Sequence, residues 1–428
     1  MKHNKKQFTI FSVFFATTLI GLCLTPVATI LGRPVPANKP NPQLQVQNNN
    51  ALGEDGGSLK INSEESYEFA IIGGGPAGII VVGLLLDLGI PAEKICWIDE
   101  KFNVGDLSKY PNVPANAKTK MFLEVLNACK AFCQCPRTES MQKLMECDLD
   151  KTYPLETIIG PLQDLTICLR KSVISHLQRV TSLTFDQEQD MWLVGMGDRA
   201  ISSRAVVLAT GSYPRSLNYE GVQELPFDQA IDPLNLPNLV NDQDTVALVG
   251  SAHSAILILK SLSELSVPRI FNFYTHPIVY PVQMDGWVLN DNTGLMGITA
   301  EWAQNVLEKN PPAKIIRLVN TQETRDAWLP LCNKIIYAVG FDRSPLFSIP
   351  GIDYDAYDGT TGQIGRNFFG IGIAFPEIMI DPLGNIDKGV GLPDFMDYAQ
   401  RVVPQWILHR DRRCMWEKFS ELFTIHIL

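Results

Sequence analysis

Residues 68–72 (Glu-Phe-Ala-Ile-Ile) run directly into Gly73-Gly74-Gly75-Pro76-Ala77-Gly78, and an apolar stretch then continues to Leu88 and stops at Gly89. This order reads as a short buried strand, a glycine break and a helix packed on a sheet. Residues 94–98 supply a second strand that ends at Asp99 and Glu100. Together they make a βαβ unit. Each glycine has a separate task. Gly73 allows the tight turn out of the strand, Gly75 lets backbone N–H groups approach a pyrophosphate, and Gly78 lets the helix pack closely on the sheet. The pattern alone is weak, but here an acid follows 21 residues after Gly78. Asp99, or Glu100 one step on, is placed to accept hydrogen bonds from ribose hydroxyls.

A second unit of this kind starts at Thr245. A Val-Ala-Leu-Val strand leads into Gly250-Ser251-Ala252-His253-Ser254-Ala255, an apolar helix reaches Leu265, and a further strand spans residues 269–274. Only the first glycine is kept. Alanine suits the position where the helix packs, whereas at the middle position its methyl faces a pyrophosphate; His253 reads as a capping or packing residue. Between the units, residues 172–180 read as helical, residues 182–185 and 191–196 as antiparallel strands, and residues 204–209 as an apolar strand ending at Thr210-Gly211. Residues 334–339 form another apolar strand ending in Gly340, residues 368–375 a last strand-like run, and residues 393–403 a helix with Pro393 in its first turn.

The two ends of the chain's N-terminal third differ in kind. Lys2, Lys5 and Lys6 precede an apolar run over residues 8–31, the layout of a secretory signal or a membrane anchor, and Val35 and Ala37 offer small residues for cleavage. Residues 38–66, rich in Asn, Gly and Pro, cannot bury enough apolar surface to offset chain entropy and read as a flexible linker. The expected organisation is therefore signal or anchor 1–37, linker 38–66, a first domain 67–215, a second 216–332, and a return to the first over 333–428. Export, or tethering to a membrane through residues 8–31, is the expected localisation.

Composition removes some functions. The net charge of −10 repels phosphate backbones, so nucleic acid is not an expected partner. The nine cysteines include Cys129, Cys133 and Cys135 but no Cys-x-x-Cys pair, and no histidine completes a metal site beside them. They read as buried or idle thiols. No metal ligand set and no catalytic acid or base stands out.

Three ordered motifs carry a resemblance. Residues 72–78 resemble the first motif of the two-dinucleotide-binding-domain flavoproteins, Val206-Val207-Leu208-Ala209-Thr210-Gly211 resembles their Ala-Thr-Gly strand, and Trp192-Leu193-Val194 fits their small β-meander. The resemblance implies an α/β fold: a Rossmann-like FAD-binding domain with an inserted second Rossmann-like NAD(P)-binding domain. It implies FAD and NAD(P)H as cofactors and a small-molecule substrate. The implied cofactor-binding residues are Gly73, Gly75, Pro76, Ala77, Gly78, Asp99, Glu100, Lys101, Val180, Ala209, Thr210, Gly211, Gly250, Ser251, Ser254, Gly340 and Gly372. The motif order is most similar to flavin-containing and N-hydroxylating monooxygenases, in which reduced FAD and O2 form a flavin hydroperoxide. A dehydrogenase or reductase without oxygenation, and a non-catalytic FAD-binding protein, remain open. Departures from the pattern are also visible. Residues 369–374 lack the expected aspartate, residues 211–244 lack the flavin-monooxygenase signature, and neither an arginine nor an acid follows Tyr274. Residues 105–110 and 116–119 lie where such proteins wrap the flavin ring, while residues 277–297 are a candidate lining of a substrate cleft.

Overall fold

The computed structural model describes residues 60–424, with side chains described for residues 66–408. The expected signal or anchor lies outside the described residues, as does most of the expected linker. Among the described residues no helix is long and apolar enough to cross a membrane.

Two parallel sheets organise the chain. In the first, Lys60–Ile72 lies between Ile95–Asp99 and Arg199–Leu208, parallel to both. Ile174–Leu177 extends one side and Phe368–Gly370 the other, again in parallel. Parallel neighbours require a crossover, and the helix Pro76–Asp87 supplies the first one. Pro76 suits its first turn, because a proline there gives up only an N–H that has no helical partner. Phe69 and Ile71 pack toward this helix, while Ala70 and Ile72 pack into a second cluster with Trp192 and Phe368. A strand buried on both faces reads as continuously apolar, as these residues do. The long helix Leu392–Thr424 packs on the same layer, and its Trp406 stacks on Phe369 at 4.8 Å.

The second sheet has the order Ile315–Val319, Arg269–Tyr274, Thr245–Val249, Lys334–Tyr337, Gln223–Glu224, all parallel. Where the chain passes between the sheets, Ser212–Pro214 pairs antiparallel with Phe341–Arg343. The antiparallel meander expected over residues 182–196 forms as Ser182–Asp186 and Met191–Met196.

Four expectations are corrected. Residues 172–180 are not helical: the helix Glu156–Ser172 ends there, and Ile174–Leu177 is an edge strand. An edge strand has little alternation to read, since both its faces are partly open. The strand Lys334–Tyr337 does not return to the first domain. It pairs with Thr245–Val249 inside the second sheet, so the return follows it, at Phe341–Arg343 and Phe368–Gly370. The strand Lys60–Ile72 starts within the expected linker, its first residues paired with Arg199 and Ala200; backbone pairing needs a neighbouring strand, not an apolar side chain. Cys135 and Cys168 are not idle thiols but a disulfide across 33 residues. Cys129 is a buried free thiol, pushed up to about 12 by burial and by Asp87.

Lys334 also fixes its strand in the second sheet. Its ammonium lies 2.8 Å from Asp244, which is 3% exposed and takes further hydrogen bonds from the Asn241 N–H and the Asn333 amide. Burial raises the Asp244 carboxyl, but those three partners outweigh it and hold the group below the usual carboxylate value. Lys334→Met leaves that carboxylate without its cation, a change expected to cost about 3–5 kcal/mol in urea unfolding. Because the folded value lies below the unfolded one, the wild-type contribution is present above the unfolded value and is lost as pH falls through the folded one. The difference between the two proteins should therefore shrink on acidification.

Candidate functional site

The first site forms where four strand ends of the first sheet meet. Gly73 has φ +121°, and a Cβ placed on it would stand 2.1 Å from the Ala209 carbonyl oxygen. The Gly73 N–H donates to the Ile98 carbonyl at 2.9 Å and the Ala209 N–H to the Ile72 carbonyl at 2.8 Å. A Cβ on Gly78 would meet the Gly73 oxygen at 2.0 Å, which Trp97 already holds through its indole N–H at 2.9 Å. These two glycines are thus required by protein packing. Gly75 is different. A Cβ there would find its nearest neighbour, the Gly105 Cα, at 3.8 Å. Gly75 precedes the helix Pro76–Asp87 with no side-chain cap on the helix N-terminus. Uncapped N–H groups and the positive end of the helix dipole suit a phosphate.

The Thr210 hydroxyl, next to Ala209, is buried and has no hydrogen-bond partner among the described residues. Gly372 closes against Ala77, where an added Cβ would lie 2.8 Å from the alanine methyl. Over the turn folds the segment 102–105, with Phe102, Val104 and Gly105 all at positive φ. Such backbone is costly for a β-branched residue like Val104, and strain of this kind collects at functional sites.

Asp99 lies beside this turn, but its carboxylate is occupied by backbone N–H groups: Gly74 at 2.8 Å, Lys101 at 2.8 Å and Phe102 at 2.5 Å. It fixes the turn, leaving Glu100 exposed beside Lys101. Val180 is buried in the core near the meander. Gly211 and Gly340 sit in the two passages between the sheets, both at positive φ with open space beside them.

The second turn repeats the first. Gly250 has φ +130°, and a Cβ on it would lie 2.2 Å from the Ala338 oxygen. The Gly250 N–H donates to Phe273 and the Ala338 N–H to Val249, both at 2.8 Å. Ala252, at φ −83° and ψ −174°, has the backbone of Gly75 at −80° and −179°. Its methyl is exposed rather than wedged in the turn. Ser251 donates to the His276 carbonyl at 2.8 Å.

Sequence reasoning missed Arg317, because it comes from a neighbouring strand and not from the segment after Tyr274. Its guanidinium lies 4.6 Å over the Tyr274 ring and donates through Nε to Asn272, whose amide donates to the Gly250 carbonyl. Its Nη2 is buried without a hydrogen-bond partner among the described residues. Tyr280 and Glu308 stand nearby and bond to each other at 2.9 Å.

Beside the second turn lies a cleft of ≈ 180 Å³. Residues 110–116 line one side, and the helix His253–Glu264 with Phe227 and Phe341 lines the other. Tyr110 donates to Asp228, and Asn112 donates to Asp232 at 3.0 Å, so this loop is tied to the second domain. Burial and Asp228 both hold the Tyr110 phenol protonated. Residues 105–110, expected at the flavin ring, run from beside Gly75 to this wall, and Asn116 lines it as well. The segment 277–297 contributes no residue to this lining: Val282–Gln283 and Val288–Leu289 form a hairpin whose first strand is exposed.

The chain is 31% identical over 381 residues to Monooxygenase AgnR1 of Paecilomyces divaricatus, a match that covers 79% of this chain and 97% of that protein. The chain belongs to the flavin-monooxygenase family of two-dinucleotide-binding-domain flavoproteins. It is an FAD-dependent oxidoreductase. Solved structures share its fold. A flavin-containing monooxygenase from Stenotrophomonas maltophilia has 16% identity and a TM-score of 0.53, covering 81% of this chain and 99% of that one. A bacillithiol disulfide reductase from Staphylococcus aureus has 13% identity and a TM-score of 0.52, covering 80% and 99%. No protein-family profile matches the chain.

The first turn suits FAD by three observations: the uncapped helix N-terminus, the open side of Gly75 and the unpartnered Thr210 hydroxyl. Gly75→Ala fits the protein but takes up the space the cofactor needs. It should fold with wild-type thermal stability in the absence of flavin and purify with at least about tenfold weaker FAD retention, read from the ratio of flavin to protein absorbance. Gly78→Ala should instead lose stability itself, because its methyl collides with backbone.

Proposed function

We propose that this flavoenzyme is an NAD(P)H-dependent monooxygenase that inserts one oxygen atom of O2 into a small organic substrate. The observation that carries this reading is the pair of glycine turns with matching backbone, the second of them bordering an apolar cleft, in a chain that is 31% identical to a monooxygenase over nearly that protein's whole length. In balance, the substrate, O2, NAD(P)H and a proton yield the oxygenated product, water and NAD(P)+. Bound at the first turn, FAD would supply hydride acceptance and oxygen activation. The chain's own part is placement. The helix N-terminus after Gly75 and the Thr210 hydroxyl would hold the pyrophosphate end, and Gly250, Ser251 and Ser254 would hold the nicotinamide dinucleotide. The apolar walls of the cleft exclude water from the reacting face. The sequence contains no Cys-x-x-Cys pair, which favours oxygenation over a dithiol relay.

Oxygen consumption by the FAD-loaded full chain tests this. NAD(P)H oxidation should consume O2, and with a turned-over substrate the product should gain one 18O atom from labelled O2. Flavin reduction by NAD(P)H with no label in any product across a broad substrate panel would contradict oxygenation and leave a reductase.

Arg317 supports NADPH as the reductant. No acid ends the strand Arg269–Tyr274, and this guanidinium keeps a buried, unpartnered donor beside the strand's last residue. An arginine near that strand end accommodates a 2′-phosphate. Arg317→Leu should raise the Kd of NADP+ by about tenfold or more while changing that of NAD+ little, as measured by calorimetry. Equal losses for both would show a role in folding the turn instead.

A further inference from the structure

His253 opens the helix at the second glycine turn and lines the cleft. Its Nδ1 lies 2.9 Å from the Thr299 hydroxyl oxygen, and that hydroxyl lies 2.7 Å from the Met296 carbonyl oxygen. A hydroxyl has one hydrogen to give. A carbonyl can only accept, so Thr299 donates to Met296 and accepts from His253. The imidazole therefore carries its proton on Nδ1. Thr299 is fully buried, so water does not compete for this arrangement. Burial also lowers the pKa of His253 and keeps the ring neutral. What remains is Nε2, a bare acceptor with no hydrogen bond to any described residue.

The surroundings say what meets that nitrogen. Leu155, Ile231, Leu257 and Val113 give the cleft apolar walls, and Phe227 and Phe341 stand edge to face at 5.5 Å. Aromatic walls of this kind suit a flat ring. Tyr110, the other titratable group lining the cleft, has its hydrogen committed to Asp228, whose second carboxylate oxygen pairs with Lys109 at 3.5 Å. Asn116 and Ser254 complete the polar lining. An acceptor in apolar surroundings is costly unless the ligand brings a donor.

We propose that the cleft binds the substrate as a flat, largely apolar ring bearing an O–H or N–H donor, and that His253 Nε2 accepts that hydrogen. This deepens the monooxygenase reading by naming a substrate class. Thr299 is the positioning residue, since it fixes the tautomer that leaves Nε2 bare. A site built around such a bond rejects the analogue that lacks the donor.

The test is equilibrium binding to the FAD-loaded full chain without NAD(P)H, so that it does not depend on turnover. 2-Naphthol and its O-methyl ether serve as probes at about pH 7.5, where the ring is neutral. Wild type should bind the naphthol about tenfold more tightly than the ether. His253→Phe should bind the two alike, with FAD retention and the Kd of NADP+ unchanged. Thr299→Val, which keeps the imidazole but releases its tautomer, should lose part of the discrimination. Equal binding of both probes by wild type would overturn the proposal. So would a His253→Phe variant that weakens NADP+ and leaves the naphthol preference intact, because the acceptor would then serve the nicotinamide carboxamide. Either result leaves the oxygen-consumption test of monooxygenation untouched.

Discussion

Everything in this molecule is arranged around a carbonyl oxygen meeting a glycine that has no side chain. The Ala209 oxygen lies 2.1 Å from where the Cβ of Gly73 would be, and the Ala338 oxygen 2.2 Å from that of Gly250. That approach lets each first strand and its parallel neighbour end side by side, with the helix N-terminus in front of them. The left-handed φ that it needs is open to glycine at little cost. Both strand ends are tied by matching pairs of backbone hydrogen bonds, so the two halves of the chain solve one problem with one geometry.

From that constraint the site follows. The segment 102–109 folds back over the first turn, and five residues beyond Gly105 the chain reaches Tyr110, which is bound to Asp228 of the other half. Lys109 and Asn112 add contacts to Asp228 and Asp232. The loop that covers the first glycine turn thus also forms a wall of the cleft beside the second. Lys109 itself is partly exposed, so its ion pairs are worth little singly; the half-buried Tyr110 bond and the apolar wall matter more. Ties of this kind hold the two halves in one geometry, as a reaction between groups bound to both would need.

Much of this was legible in the sequence, for identifiable reasons. Strand ends followed by glycine, and the mostly apolar helices after them, can be read because both faces of a parallel strand are buried and the turn tolerates few residues. Gly73, Gly78 and Gly250 stand where the spacing put them. The edge strand Ile174–Leu177 was not legible, since half-exposed residues carry no period. Nor was the partner of Lys334–Tyr337, because a fully apolar strand does not say which sheet it joins. The Cys135–Cys168 disulfide, the Arg317–Asn272–Gly250 chain and the Tyr110–Asp228 bond all join residues far apart in sequence. Ala252 was misleading in the other direction. The letter differs from glycine, yet its ordinary extended backbone needs none, and the methyl points to open space.

In the proposed reading the first glycine turn holds the pyrophosphate of FAD, and the cleft beside the second turn is where the reacting ring ends. A crystal structure of the full chain loaded with FAD tests this most directly. The pyrophosphate should lie on the backbone N–H groups that begin the helix Pro76–Asp87, with a hydrogen bond to the Thr210 hydroxyl, and the isoalloxazine should border the cleft lined by Tyr110 and His253. An isoalloxazine bound away from that cleft, or a pyrophosphate seated anywhere but the Gly73–Gly78 turn, would contradict it.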